Sequence, residues 1–194
     1  DRSPSRGLGD VYKRQNRYKP STIYLADLDL LDGYGDNIDI IYKIANMFRN
    51  KIFWVDVGSK KIKKLSIKNI TPILCSESCE EIRLINYVYK DHIHSYDYKN
   101  RFLGTQYFKK FHSSYKKKVI FMNISDVGSK KGPDFRYLRG MPKYSHTEYY
   151  VGGGINSTLD LYKLRKMNIA GALVSSLLMS KKTSNYVIKK RASE

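Results

Sequence analysis

Four aspartates and three consecutive glycines are the residues of this 194-residue chain best suited to chemistry. Asp27, Asp29, Asp56 and Asp97 stand at or near the ends of short apolar runs, TIYLADLDL, KIFWVDVG and HIHSYDYK. A carboxyl group held at the mouth of an apolar scaffold can serve as a general acid or base. Further along, EYYVGGGINSTLDLYKLRKMNIAGALVSS joins a short apolar run, a triple-glycine turn, a capped amphipathic stretch and a second apolar run with a hydroxylated end. Glycines let backbone N–H groups approach an anion closely, and a helix N-terminus adds a favourable dipole. Gly152, Gly153, Gly154, Val174, Ser175 and Ser176 are therefore the candidate phosphate-binding residues, and a phosphorylated small molecule is the expected partner.

Each candidate has a plainer reading. The glycines could form only a tight strand-to-helix turn, and Asp97 could pair with a neighbouring lysine rather than act on a substrate. Asp27 and Asp29 lie two apart and would share one side of a strand, with loop capping the alternative for Asp29. Cys75 and Cys79 lack a second pair of metal ligands, and His92 and His94 share a strand face without evident partners. No metal or organic cofactor is expected.

The elements that must position these residues alternate along the chain. Apolar runs at 22–30, 51–58, 71–75, 91–98, 118–124, 148–151 and 171–175 read as strands. Helices are expected from Asp36 or Asn37 to about Arg49, then at Lys60–Asn69, Ser78–Tyr89, Phe102–Tyr115, Pro133–Arg139 and after Ser157. Short apolar strands, each followed by a helix, argue a parallel α/β fold buried on both faces. Acids at strand ends suit a barrel with its site at the C-terminal rim. The expectation is a (β/α)8 TIM barrel, N-terminally truncated, with strands two to eight in residues 16–194.

The net charge of +18 raises the question of nucleic acid. The lysines are spread along the chain with only short clusters, and no zinc-finger, helix-turn-helix or RNP-like pattern accompanies them. We read them as solvated faces and general anion attraction. No apolar run approaches the roughly 18 residues needed to span a bilayer, and no membrane partner is expected. Two cysteines do not make a disulfide framework, so the expected compartment is the cytoplasm. Residues 1–15, DRSPSRGLGDVYKRQ, lack periodicity and resemble a peptide that recurs where adapter sequence is translated into assembled reading frames. We expect them to be non-native and the fold to begin near Asn16.

YLADLDLLDGYGDNIDIIYKIA, VIFMNISDVGSKKGPDF and YYVGGGINSTLDLYKLRKMNIAGALVSSLL together resemble the histidine-biosynthesis barrels. These include the phosphoribosyl-formimino-aminoimidazole-carboxamide-ribotide isomerase and the related cyclase subunit. The fit is closest to a divergent isomerase-like group of methanogens and C1-metabolising microbes. The resemblance implies an Amadori-type aldose–ketose isomerisation by acid/base proton transfer, with a phosphorylated sugar or sugar-amine as substrate. It places Asp97 at the acid position of strand five, and Asp27 would assist from the opposite side. The chain departs from the family pattern after strand three, where DVGSKK keeps only Gly58, and after strand four, where it has CSES. Asn123 and Val127 stand where acids are common on strand six. A non-catalytic phosphometabolite-binding barrel therefore remains the alternative, with a nucleic-acid-binding module third.

Overall fold

The computed structural model describes residues 20–58, 65, 67–79, 92–105, 118–129 and 131–175. Residues 1–15, Ser176, and most of the helices expected at Lys60–Asn69, Ser78–Tyr89 and Phe102–Tyr115 lie outside them.

Seven strands run parallel and neighbour one another in chain order: β1 (Thr22–Ala26), β2 (Ile52–Asp56), β3 (Ile70–Cys75), β4 (Ile93–Lys99), β6 (Lys118–Asn123), β7 (Glu148–Gly152) and β8 (Gly171–Leu173). A short β5 (Arg101–Leu103) folds back antiparallel on β4, with Tyr98 opposite Phe102. The sheet nearly closes into a barrel with helices between its strands, a TIM-type α/β architecture. Side chains alternate across it. Trp54, Ile73, Cys75, Ile93, Ile120 and Met122 form one buried cluster, with Tyr24, Tyr150 and Leu173 packed against it. These residues come from every parallel strand, so this is the barrel interior. The intervening positions, such as Phe53, Val55, Phe121 and Val151, belong to clusters that pack against the helices outside.

Two local expectations change. The first strand stops at Ala26 rather than Leu30, because the Asp27 carboxylate accepts from Leu30 N (3.2 Å) and starts the helical turn α1 (Leu28–Leu31). Asp27 and Asp29 therefore do not share a strand face. Phe102 and Leu103 are strand rather than helix, because Asn100 adopts φ 61° and reverses the chain. Asparagine tolerates that left-handed conformation better than most residues.

The other helices follow the sequence pattern. In α2 (Ile38–Met47), Ile38, Ile41, Ile44 and Ala45 are buried on one face. In α3 (Phe135–Gly140), the Asp134 carboxylate caps Tyr137 N. In α4 (Thr158–Lys166), Ser157 and Asp160 form a reciprocal capping box. No helix among the described residues is long and apolar enough to cross a membrane.

Candidate active site at the strand C-termini

Adjacent strands β2 and β3 end in Asp56 and Cys75, and Asp97 lies two residues before the end of the next strand, β4; all three are buried. The Asp97 carboxylate is 2% exposed and is held by hydrogen bonds from Ser95 Oγ (2.6 Å), Ser76 Oγ (3.2 Å) and Glu77 N (3.2 Å). Its own N–H donates to Ser76 Oγ at 2.9 Å, which fixes the end of β4 against the loop after β3. Burial dominates its titration and raises the carboxyl to about 7, against the lowering effect of the Ser95 and Glu77 donors. The nearby charges of Glu77 and Asp56 push it further up. A carboxyl group titrating near neutrality can both give and take a proton.

Asp56 is 4% exposed and also raised, first by burial, while donors from Cys75, Gly58 N and Tyr24 oppose the shift. Gly58 N reaches Oδ1 at 3.1 Å and the Tyr24 phenol reaches Oδ2 at 3.3 Å. The Cys75 thiol bonds to the Asp56 carboxylate, and burial with the Asp56 and Asp97 charges drives it well above the ordinary thiol range. A thiol held neutral in this way is no nucleophile. It donates to the Asp56 carboxylate instead.

Across the rim, β7 leads into Gly152–Gly154. Gly153 (φ 96°) and Gly154 (φ 77°) lie in the left-handed region. A Cβ on Gly153 would collide with the Asn123 carbonyl oxygen, and one on Gly154 with the Gly132 carbonyl oxygen. Gly154 N donates to Asp126 O, and Gly132 N donates to Gly154 O, both at 2.8 Å. The glycines thus lock the turn against the loop after β6. Val174 and Ser175 follow β8 directly, whose Leu173 pairs with Gly152.

The family model described as histidine biosynthesis protein matches residues 85–184, just over half of the chain. An uncharacterized protein of Methanocaldococcus jannaschii is 31% identical over 177 residues, covering 87% of this chain and 76% of that protein. The chain belongs to the histidine biosynthesis protein family. An isomerase of a phosphoribosylated imidazole-4-carboxamide from Clostridium novyi is 25% identical, covering 81% of this chain and 75% of the enzyme. Its counterpart in Clostridium acetobutylicum is 38% identical over a shorter stretch, 33% of this chain and 27% of the enzyme.

Within this family barrel the two expected acids are not equivalent. Asp97 faces the mouth beside Asp56 and Cys75. Asp27 is 3% exposed but caps α1 and accepts from Asn37 N (2.7 Å) and Asn37 Nδ2 (2.8 Å), tying the β1 turn to the start of α2. Asp29 also accepts from Asn37 Nδ2. Asp56 is the acid whose role sequence reasoning missed. Its position at an apolar strand end was visible, but its pairing with Cys75 and Tyr24 was not. The α4 N-terminus expected to aid phosphate binding is engaged internally, because Asp160 Oδ2 accepts from Asn156 N and Ser157 N at 3.1 and 2.9 Å. His92 and His94 place their Nε2 atoms 3.0 Å apart, facing each other as a hydrogen-bonded pair rather than converging on a third point.

Proposed function

We propose that this protein is an isomerase acting on a phosphorylated sugar or sugar-amine by proton transfer at adjacent carbons. Asp97 is the acid/base, Asp56 is the second carboxyl group of the same rim, and the phosphate is held by the Gly152–Gly154 turn with Val174 and Ser175. The observation that carries this reading is the Asp97 carboxyl itself, buried near a strand C-terminus, oriented by three donors and titrating at about 7. An aldose–ketose rearrangement removes a proton from one carbon and delivers one to its neighbour. A group poised near neutrality, beside a second raised carboxyl, matches that demand. Relatives named as isomerases support the reaction class. Asp27 acts here by holding the β1 turn.

The test is conversion of an aminoaldose phosphate to the aminoketose, followed by NMR with solvent deuterium. Wild type should convert it, and Asp97→Asn should lose about 10²–10⁴ in rate while still binding the substrate. Unchanged turnover in Asp97→Asn would remove the assignment. Binding without turnover in wild type would favour a phosphometabolite-binding barrel.

A further inference from the structure

We propose that the pocket between β6, β7 and α3 is a subsite for a single hydrogen-bond-donating group, a hydroxyl or amine, of the ligand whose phosphate lies at the adjoining triple-glycine turn. The phosphate half of that statement rests on the function proposed above. The pocket stands on its own geometry.

The walls of the pocket include Phe121, Asn123, Asp134, Tyr137, Val151 and Gly153. Its inner part has room for about one water-sized group. Asn123 is 8% exposed, and its Nδ2 donates to Asp126 Oδ2 at 2.8 Å. A carboxylate only accepts, so this bond fixes the amide orientation and turns Oδ1 the other way. Asn123 Oδ1 is buried with no hydrogen-bond partner among the described residues. The Tyr137 hydroxyl is in the same condition. Its ring stacks on Tyr98 at 3.9 Å between centroids and 20° between planes, so the hydroxyl is held in place by packing.

Buried polar atoms are paired almost without exception, so two in one pocket mark a place built for a partner. The chemistry of the walls selects that partner. Asn123 Oδ1 can only accept, and the Asp134 carboxylate on the same wall also accepts. The Tyr137 hydroxyl can accept or donate, and burial with the nearby charges raises its titration to about 12, keeping it protonated. An anion would meet acceptors and negative charge here, while a hydroxyl or uncharged amine would donate a hydrogen bond to Asn123 Oδ1 and accept one from the Tyr137 hydroxyl. A phosphate is therefore turned away to the glycines, and the carbon chain it carries can place a hydroxyl in the pocket.

The test is a titration of the full chain, observed by NMR at Gly153 N–H and at the Asn123 side-chain amide. The probes are D-ribose 5-phosphate, D-ribose and inorganic phosphate. Ribose 5-phosphate should shift both signals and inorganic phosphate only Gly153. Tyr137→Phe should weaken ribose 5-phosphate binding by about five- to tenfold and leave inorganic phosphate unaffected. Its thermal midpoint should not fall, because the change removes an unpartnered buried hydroxyl. A ribose response at Asn123 without any phosphate response at Gly153 would sink the phosphate reading and leave the subsite standing. No response at Asn123 to any sugar, or equal loss of both affinities in Tyr137→Phe, would overturn the subsite, leaving a pocket for ordered water.

Discussion

Trp54 on β2 and Tyr150 on β7 meet edge to face, with ring centroids 4.8 Å apart and planes at 88°. Three strands, β3, β4 and β6, separate them in the sheet order, so the contact exists only because the sheet curls. It joins the half of the barrel that carries the acids to the half that carries the glycines. The Lys118 ammonium sits 5.6 Å above the Trp54 ring and within 3.9 Å of Glu148, extending the contact to β6.

Trp54→Ala should therefore cost about 3–5 kcal/mol, the range for truncating a large buried aromatic. Trp54 is the sole tryptophan of the chain, so Tyr150→Leu can be followed through its fluorescence. A shift towards the exposed emission range in Tyr150→Leu is expected. Chemical denaturation showing Trp54→Ala within 1 kcal/mol of wild type would mean that the two halves do not rely on this contact.

Asp97 makes stability depend on pH in a defined direction. Its folded carboxyl titrates at about 7, against 3.8 for the unperturbed group. Between those values the folded state keeps a proton that the unfolded chain has released, so stability falls as pH rises through this window. The loss is at most about 4 kcal/mol and is complete above about pH 7. Asp97→Asn should remove this slope and be more stable than wild type at pH 8, while losing activity. Thermal unfolding of both proteins at pH 4, 6 and 8 checks it, and a variant weaker than wild type at pH 8 would contradict the assignment.

Gly153→Ala should be destabilising by about 2 kcal/mol or more, since its φ is positive and its Cβ meets backbone that cannot easily move. Gly140→Ala, where nothing lies within 4 Å and φ is ordinary, should be neutral or stabilising by under about 1 kcal/mol. Equal effects of the two substitutions would show that the turn is not held against Asn123.

Asp27→Asn separates a structural acid from a catalytic one. The carboxylate accepts from Leu30 N, Asn37 N and Asn37 Nδ2, and an amide cannot satisfy all three. The variant should lose about 1–3 kcal/mol of stability while keeping substantial turnover at a temperature where it is folded. Abolished turnover with unchanged stability would return Asp27 to the reaction.

Ser157→Ala should cost about 1 kcal/mol through loss of the capping box on α4. Phosphate affinity should not change, because the carboxylate of Asp160 still occupies Asn156 N. Titration of inorganic phosphate into both proteins decides this.

The sequence by itself determined the architecture. Short apolar runs alternating with amphipathic stretches leave a parallel sheet covered by helices as the economical way to bury both, and Ile38, Ile41, Ile44 and Ala45 already marked the buried face of α2. The glycine run and the strand-end acids were also legible, because both are local patterns. Tertiary structure decided which of these residues face one another. Asp27 and Asp97 both lie beside apolar strand runs, yet one caps a helix and the other is desolvated at the barrel mouth. The Asp97 carboxylate is held by Ser76 and Glu77, about twenty residues away, and raised by the burial around it, while Asp56 acquires its surroundings from Tyr24 and Cys75 on the two neighbouring strands. Periodicity tells a side chain which way to point. Desolvation and hydrogen-bond partners come from whichever strands fold alongside, so the chemistry of each acid is set only when the sheet closes around it.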